Sequence, residues 1–476
     1  QAQLRSIYAA GAESPVDVRR ALRDIDANAA FILVQRKGEE AAKILSDIYR
    51  LSLVPAEGAD IDQAEEREKI EALVFGENGL FSSKIYDQQW ARQQLAKKHG
   101  DLAVPVLLDV LSTRYREEQG DQAIAHITIV HLTLEDMRQA ATDGLVAGLQ
   151  TSDVQARREI LRALGSIKDP AALPFLALHA GAAEEDDIAR RNAAESLAAV
   201  QKLYPSFDGT TFTGLGFEYL KRNQILVDPF RVSAAVRFWF RKDEGEKFAD
   251  QIAFRLVPRV VLGYEYAKEA FYNALAAGED AELAMRGLAL SYAGSQASGA
   301  SIDSISEQLV RSSVPMRLLG VAVLDGALAW ALEHREYGIA ERLILELGKV
   351  VDAGSMNRVN TLLGALSHSD KSISYAAALA LAPVIGAEGV PSGEVIAKLN
   401  AAVGEQSVWV VHLVDTDAER SAIFASGLMQ SGGIFVRTHA NAARAIQEIR
   451  SATGDAVVLF DGGHNISTQA FLTNIG

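Results

Sequence analysis

The feature that most constrains this chain is an internal repeat. Asp153-Val154-Gln155-Ala156-Arg157 opens a segment whose apolar residues Ile160, Leu161, Leu164 and Ile167 fall at three- and four-residue spacing, the pattern of one helical face. The opening returns 34 residues later as Asp187-Ile188-Ala189-Arg190-Arg191, followed by Ala193, Ala194, Leu197 and Val200. Between the copies, Gly165-Ser166-Ile167-Lys168-Asp169-Pro170 stops one helix and starts the next, because glycine suits a C-terminal cap and proline a first turn. The partner helix carries Leu173, Pro174, Leu176 and Leu178, and Asp153 and Asp187 are expected to cap helix starts. A helix pair cannot bury its apolar face alone, so a repeat of this length predicts stacked pairs sharing one continuous core.

An earlier copy runs from Arg92 to Gly100-Asp101 and turns into Leu102-Ala103-Val104-Pro105-Val106-Leu107-Leu108. Asp101 and Asp169 lie two periods apart, and Leu134-Glu135-Asp136-Met137-Arg138 with Leu145, Val146 and Leu149 supplies the intervening helix. The Arg-bearing first helix, the Gly-Asp or Asp-Pro junction and the Val-Pro or Leu-Pro second helix resemble the HEAT-like repeat family of bacterial proteins. The resemblance covers 85–205 well and 280–390 more loosely. It implies an α-solenoid with a curved binding surface and says little about activity. Helical periodicity is predicted over 267–275, 282–292, 305–310, 316–332, 339–351, 359–366 and 375–384, ending near 403.

The middle, 204–261, breaks the repeat with Gly209, Gly214, Gly216, Pro229 and Pro258, and Gly214 and Gly216 read as turn residues. Val236-Arg237-Phe238-Trp239-Phe240-Arg241 reads as a strand or the end of a helix. Upstream, helices are expected over 14–25, with Val18, Leu22 and Ile25, and over 39–53, with Ala42, Leu45, Ile48 and Tyr49. Residues 55–69, carrying Glu57, Asp60, Asp62, Glu65, Glu66 and Glu68, read as a solvated loop leading into a helix.

After Gly404 the period changes. Val408–Val414 is a β-branched apolar run, followed by Asp415-Thr416-Asp417 and a helix over 418–429. A second strand is predicted at 433–436, a second helix at 442–449 and a third strand at 456–460, ending in Asp461. Strands alternating with helices imply a parallel sheet, and carboxylates beyond the carboxyl ends of such strands lie where these sheets place ligands. The order and spacing resemble the receiver domain of bacterial response regulators. By that resemblance Asp415 matches a metal-binding acid and Asp461 the phosphoacceptor, while Thr416 stands where the second acid belongs and Asp417 follows one place late. Gly462-Gly463-His464-Asn465 lacks the family's proline, and the strands that complete its site are missing. The expectation is a degenerate, truncated receiver-like domain, with the chain a fragment of a longer precursor trimmed at Gln1 and stopped at Gly476.

Composition closes several routes. The 476 residues contain no cysteine, which excludes disulfides, thiolate zinc sites and cysteine nucleophiles. A formal charge of −15 disfavours nucleic acid as a partner. The run 231–242, where Arg237, Arg241 and Lys242 interleave with Phe238, Trp239 and Phe240, is the best nucleic-acid candidate, against a reading in which the aromatics are core. His126 and His131 are off the four-residue spacing of a helical metal pair, and His412 lies within a strand. No phosphate loop or nucleophile elbow is present. Phycobilin lyases are also HEAT-like, but no ligand-specific motif of theirs occurs here.

The expected architecture is mainly α: an N-terminal helical region (1–84), a HEAT/armadillo-like α-solenoid (85–403) and an incomplete α/β receiver-like domain (404–476). The expected function is a non-enzymatic scaffold that binds protein partners or itself, with a pseudo-receiver docking module and no cofactor. The alternative is a signalling protein phosphorylated at Asp461, with Mg2+ held by Asp415 and Asp417. A weaker third is an accessory that presents a client to an enzyme. No membrane span is predicted, and exported and cytoplasmic locations both remain open.

Overall fold

The computed structural model of the chain describes residues 59–221, 225–226, 235–241, 247–298, 316, 319–404, 409–430, 434–451, 456–460, 467–468 and 470–471. The helices expected over 14–25, 39–53 and 305–310 lie outside these residues. The described residues are mainly helical with two small sheets. They gather into two compact units, one up to Leu362 and one from Leu363 onward. Among them no helix is long and apolar enough to cross a membrane.

The first unit begins with α1 (Ala59–Phe75), α2 (Ile85–Gln94), α3 (Val104–Val110), α4 (Thr113–Gln119) and α5 (Gln122–Met137). It continues through α6 (Thr142–Gly148), α7 (Val154–Ile167), α8 (Leu173–Gly181), α9 (Asp187–Leu203) and α10 (Phe212–Leu220). Residues 59–69, expected as loop, belong to α1. Their charges work along the helix, with Lys69 Nζ donating to Glu65 at 2.8 Å and Arg67 Nε to Glu71 at 2.9 Å, both at four-residue spacing.

The aspartates and junction residues of the expected repeat fall at helix caps and junctions. Asp153 accepts the Ala156 N–H at 3.0 Å, as expected. At the start of α9 the cap is Asp186 rather than the expected Asp187: its carboxylate accepts the N–H groups of Ile188 and Ala189 at 3.0 and 2.9 Å. Two adjacent acids offer the same chemistry, and the extended backbone of Asp186 makes it the cap. Lys168 closes α7 in the left-handed conformation, φ 60°, and Asp169 then accepts the Ala171 N–H ahead of Pro174 in the first turn of α8.

Helix α5 packs on α2 and α7, and α7 on α9, while α6 packs on α3 and α8 on α10. Close approach is built into α6, where a Cβ at Gly144 or Gly148 would come within 2.8 Å of Val104 or Leu108 on α3. Side chains tie α7 to α9. Asn192 Nδ2 donates to the Arg158 carbonyl, 34 residues back, at 3.0 Å, and Ser196 Oγ to the Leu161 carbonyl at 2.9 Å.

Gly214 and Gly216 are helical rather than turn residues. Thr211 caps α10 by accepting the Gly214 N–H at 3.0 Å. The Phe271 ring occupies the space a side chain at Gly216 would need, with an added Cβ falling 2.6 Å from it. The 236–241 segment is a strand, β1 (Ala235–Arg241), joined through the short α11 (Phe248–Gln251) to an antiparallel β2 (Ile252–Pro258), with Trp239 opposite Phe254. Phe238, Trp239 and Phe240 are all buried. Helices α12 (Arg259–Ala276), α13 (Ala281–Ala297), α14 (Val321–Glu333) and α15 (Tyr337–Val350) follow. Buried Asp325 on α14 accepts the N–H groups of Thr361 and Leu362, at 3.0 and 2.9 Å, at the start of α16 (Asn360–Ala365).

The second unit contains α17 (Lys371–Leu381) and α18 (Ser392–Gly404), then β3 (Trp409–Val414), α19 (Ala418–Gln430), β4 (Ile434–His439), α20 (Ala442–Ser451) and β5 (Ala456–Leu459). The three strands are parallel, in the order β4-β3-β5. Val414, Val457 and Leu459 on one face pack with Ala445, Ile446 and Ile449 of α20 and with Phe471. The alternation of strand and helix after residue 404 thus matches the sequence expectation within a few residues at each boundary.

Candidate functional site

The carboxyl end of the parallel sheet gathers the densest chemistry of the second unit. Asp415 follows β3, the central strand, and its N–H donates to the His439 carbonyl at 3.0 Å. Its carboxylate is buried and already engaged. Arg420 donates to it from Nε at 2.7 Å and Nη2 at 2.6 Å, and the Asp417 N–H adds a third bond at 3.0 Å. The fork matches a carboxylate in plane, the strongest of the common ion-pair geometries. The Arg420 guanidinium carbon lies 4.9 Å from the Phe460 ring centroid, and Phe424 meets that ring edge-on at 5.2 Å. Hydrogen bonding to Asp415 raises the pKa of Arg420 above its ordinary value.

Asp417 does different work. Its Oδ1 accepts the N–H groups of Glu419 and Arg420 at 3.0 and 3.1 Å, which makes it the N-terminal cap of α19. Asp415 and Asp417 therefore do not fit a Mg2+ site as they stand, because a cation between them would have to displace a bidentate guanidinium and uncap a helix. Asp461 and His464 lie outside the described residues.

Sequence reasoning missed two residues here. Arg420 occupies the first turn of a helix, where a cation is normally disfavoured by the helix dipole, and that misplacement is the signal that it has a carboxylate partner. His439 ends β4 and meets His412 of β3, Nδ1 of His412 lying 2.9 Å from Nε2 of His439 with the rings 10° apart. Both are buried, and His439 also lies 3.7 Å from Glu448 through Nδ1. Burial holds the His439 pKa below its ordinary value. His412 therefore packs inside the sheet layer, and nothing in its strand position alone signals a partner 27 residues away.

The remaining candidates are dispersed. His126 stacks on Phe81 at 4.0 Å and lies 2.8 Å from the Tyr115 hydroxyl, whereas His131 bonds Glu159 at 2.9 Å. Arg237 Nη1 and Trp239 Nε1 both donate to Asp101, each at 2.9 Å, and Arg255 lies 4.8 Å over the Phe238 ring. The aromatics of the basic run are core residues whose rim is lined by arginines; Arg231 and Lys242 lie outside the described residues. No known protein family, curated protein or solved structure matches this chain.

Proposed function

We propose that the chain is a non-enzymatic scaffold, in which a HEAT-like α-solenoid binds protein partners or further copies of itself and a pseudo-receiver module serves for docking. The observation that carries this reading is the nearest-neighbour linkage between successive helix pairs, in which Arg158, Asp186, Asn192 and Ser196 join α7 to α9 across one repeat length. Links from one helix pair to the next are what a solenoid is built from, and extended surfaces are what such arrays offer a partner; the β1–β2 hairpin departs from that pattern by returning to Asp101 and Asp109. The Arg420–Asp415 pair favours docking over phosphotransfer, since it neutralises the acid that would otherwise help hold a divalent ion.

Two measurements test the proposal. Sedimentation and crosslinking of the native full-length chain should reveal self-association or a stoichiometric protein complex; a strictly monomeric, partner-free species counts against the scaffold. Incubation with acetyl phosphate and Mg2+ should leave Asp461 unmodified. A stable adduct there replaces the docking module with a signalling receiver.

A further inference from the structure

In the second unit the contact between His412 and His439 is a single hydrogen bond between two buried rings. His412 is fully buried and His439 is 6% exposed. The nitrogens are 2.9 Å apart, the centroids 5.1 Å and the planes 10° from parallel. A centroid separation so much larger than the N···N distance puts both nitrogens on the line between the rings, which therefore meet edge to edge and not face to face. Such a contact has room for one proton, because one imidazole donates and the other accepts. Two protonated rings would each direct an N–H into the same gap. On its far side, His412 Nε2 is buried with no hydrogen-bond partner among the described residues, so a proton placed there finds no acceptor.

Among the described residues, the charged groups acting on the pair are Glu448 and Arg444 of α20 and Arg437 of β4. Glu448 Oε2 lies 3.7 Å from His439 Nδ1, longer than a hydrogen bond, and its Oε1 accepts from Arg444 Nε at 3.0 Å. Strand β5 carries no charged residue, and Arg420 of α19 is held by Asp415. Burial lowers the His439 pKa against the pull of Glu448, and His412, Arg437 and Arg444 add to the lowering.

We propose that the His412–His439 pair is an acid-sensitive latch between β3 and β4. While neutral, it adds a side-chain bond to the backbone ladder of the two strands. Protonation of both rings sets like charges and opposed N–H groups in one buried gap and drives the strands apart. Histidines released by opening bind protons with an ordinary pKa of about 6.5, and the closed pair resists them. Closure is therefore favoured above that pH and lost as pH falls below it. Because β3 is the central strand, the latch governs whether this end of the sheet is a closed surface. It is independent of the scaffold reading.

Hydrogen exchange of the full chain at pH 7.5 and pH 5.5, corrected for intrinsic rates and read by mass spectrometry, tests the latch. Peptides covering β3 and β4 should lose protection by about a hundredfold, about tenfold for each of two protons taken up on opening. Peptides of α15 in the first unit should change little. His412→Phe, which keeps a ring of similar shape, and His439→Gln each remove one proton from the count, and each should cut the loss to about tenfold. His439→Gln carries the comparison if His412→Phe does not fold, and the parent profile stands alone if neither does. Equal protection of β3 and β4 at the two pH values, or a loss as large in the folded variants as in the parent, overturns the latch and leaves the pair as packing.

Discussion

Arg158 grips the Asp186 carboxylate from two nitrogens, Nε to Oδ2 at 2.7 Å and Nη2 to Oδ1 at 2.6 Å, while Oδ2 also caps α9. One carboxylate thus terminates its own helix and fastens it to the preceding one. The hydrogen bonds from Arg158 and from the Ala189 backbone hold the Asp186 pKa well below the ordinary carboxylate range.

A depressed pKa contributes stability above the unfolded value, near pH 4, that is lost as pH falls through the folded one. Asp186→Asn keeps a capping oxygen but loses the charge. Its urea midpoint should therefore lie below the parent's at pH 7 and converge with it in strong acid. A deficit that is the same at pH 7 and pH 2 shows that the cap geometry, and not the ion pair, was disturbed.

Asp109 behaves with the opposite sign. Burial pushes its pKa up to about 6, against the Phe248 N–H, which donates to it at 2.6 Å and pulls it down. A raised acid pKa costs stability as pH climbs from about 4 to 6, on the order of 3 kcal/mol if the full shift is realised. Asp109→Asn retains an acceptor and removes the titration. Relative to the parent, the variant should gain stability across that interval, as measured by denaturant unfolding at each pH; parallel pH profiles for the two proteins refute the assignment.

Gly165 sets the distance between α7 and α9. An added Cβ would fall 2.5 Å from the Ser196 Cβ and 2.9 Å from its Cα, so the neighbouring backbone and not only a flexible side chain must move. Gly165→Ala should destabilise the first unit by about 1–3 kcal/mol despite alanine's better helix propensity. Gly181, with nothing within 4 Å of an added Cβ, serves as the control, and Gly181→Ala should be close to neutral. Equal effects at the two positions remove the close-approach explanation.

At the sheet end, Arg420→Ala leaves the buried Asp415 carboxylate without its forked cation and should lower the melting temperature. Adding Asp415→Asn to that variant should recover part of the loss, because an amide needs no counter-charge. If the single and double variants melt together, Arg420 contributes through its contact with Phe460 and not through the ion pair.

Helix and strand positions were legible wherever a period ran long enough: Ile160, Leu161 and Leu164 marked α7, and the Val408–Val414 run marked the central strand, observed as Trp409–Val414. Caps were legible to within one residue, since Asp186 and Asp187 differ only in backbone conformation. The acidic stretch at 59–69 misread as loop because charges in i, i+4 pairs give no apolar periodicity, yet they support a helix. Gly214 and Gly216 misread as turns because a glycine needed for close approach looks the same in sequence as one needed for a turn.

By itself the sequence determined the local order of elements, because hydrophobic period, capping side chains and glycine or proline punctuation act over a few residues. Only the tertiary structure decided the partners: Arg420 with Asp415, His412 with His439, and Asp101 with the hairpin. Those encounters depend on how separate faces meet in space, which no local spacing records. The 34-residue spacing of Asp153 and Asp187 is an expectation of local sequence alone, whereas the bonds from Arg158, Asn192 and Ser196 are what hold α7 to α9.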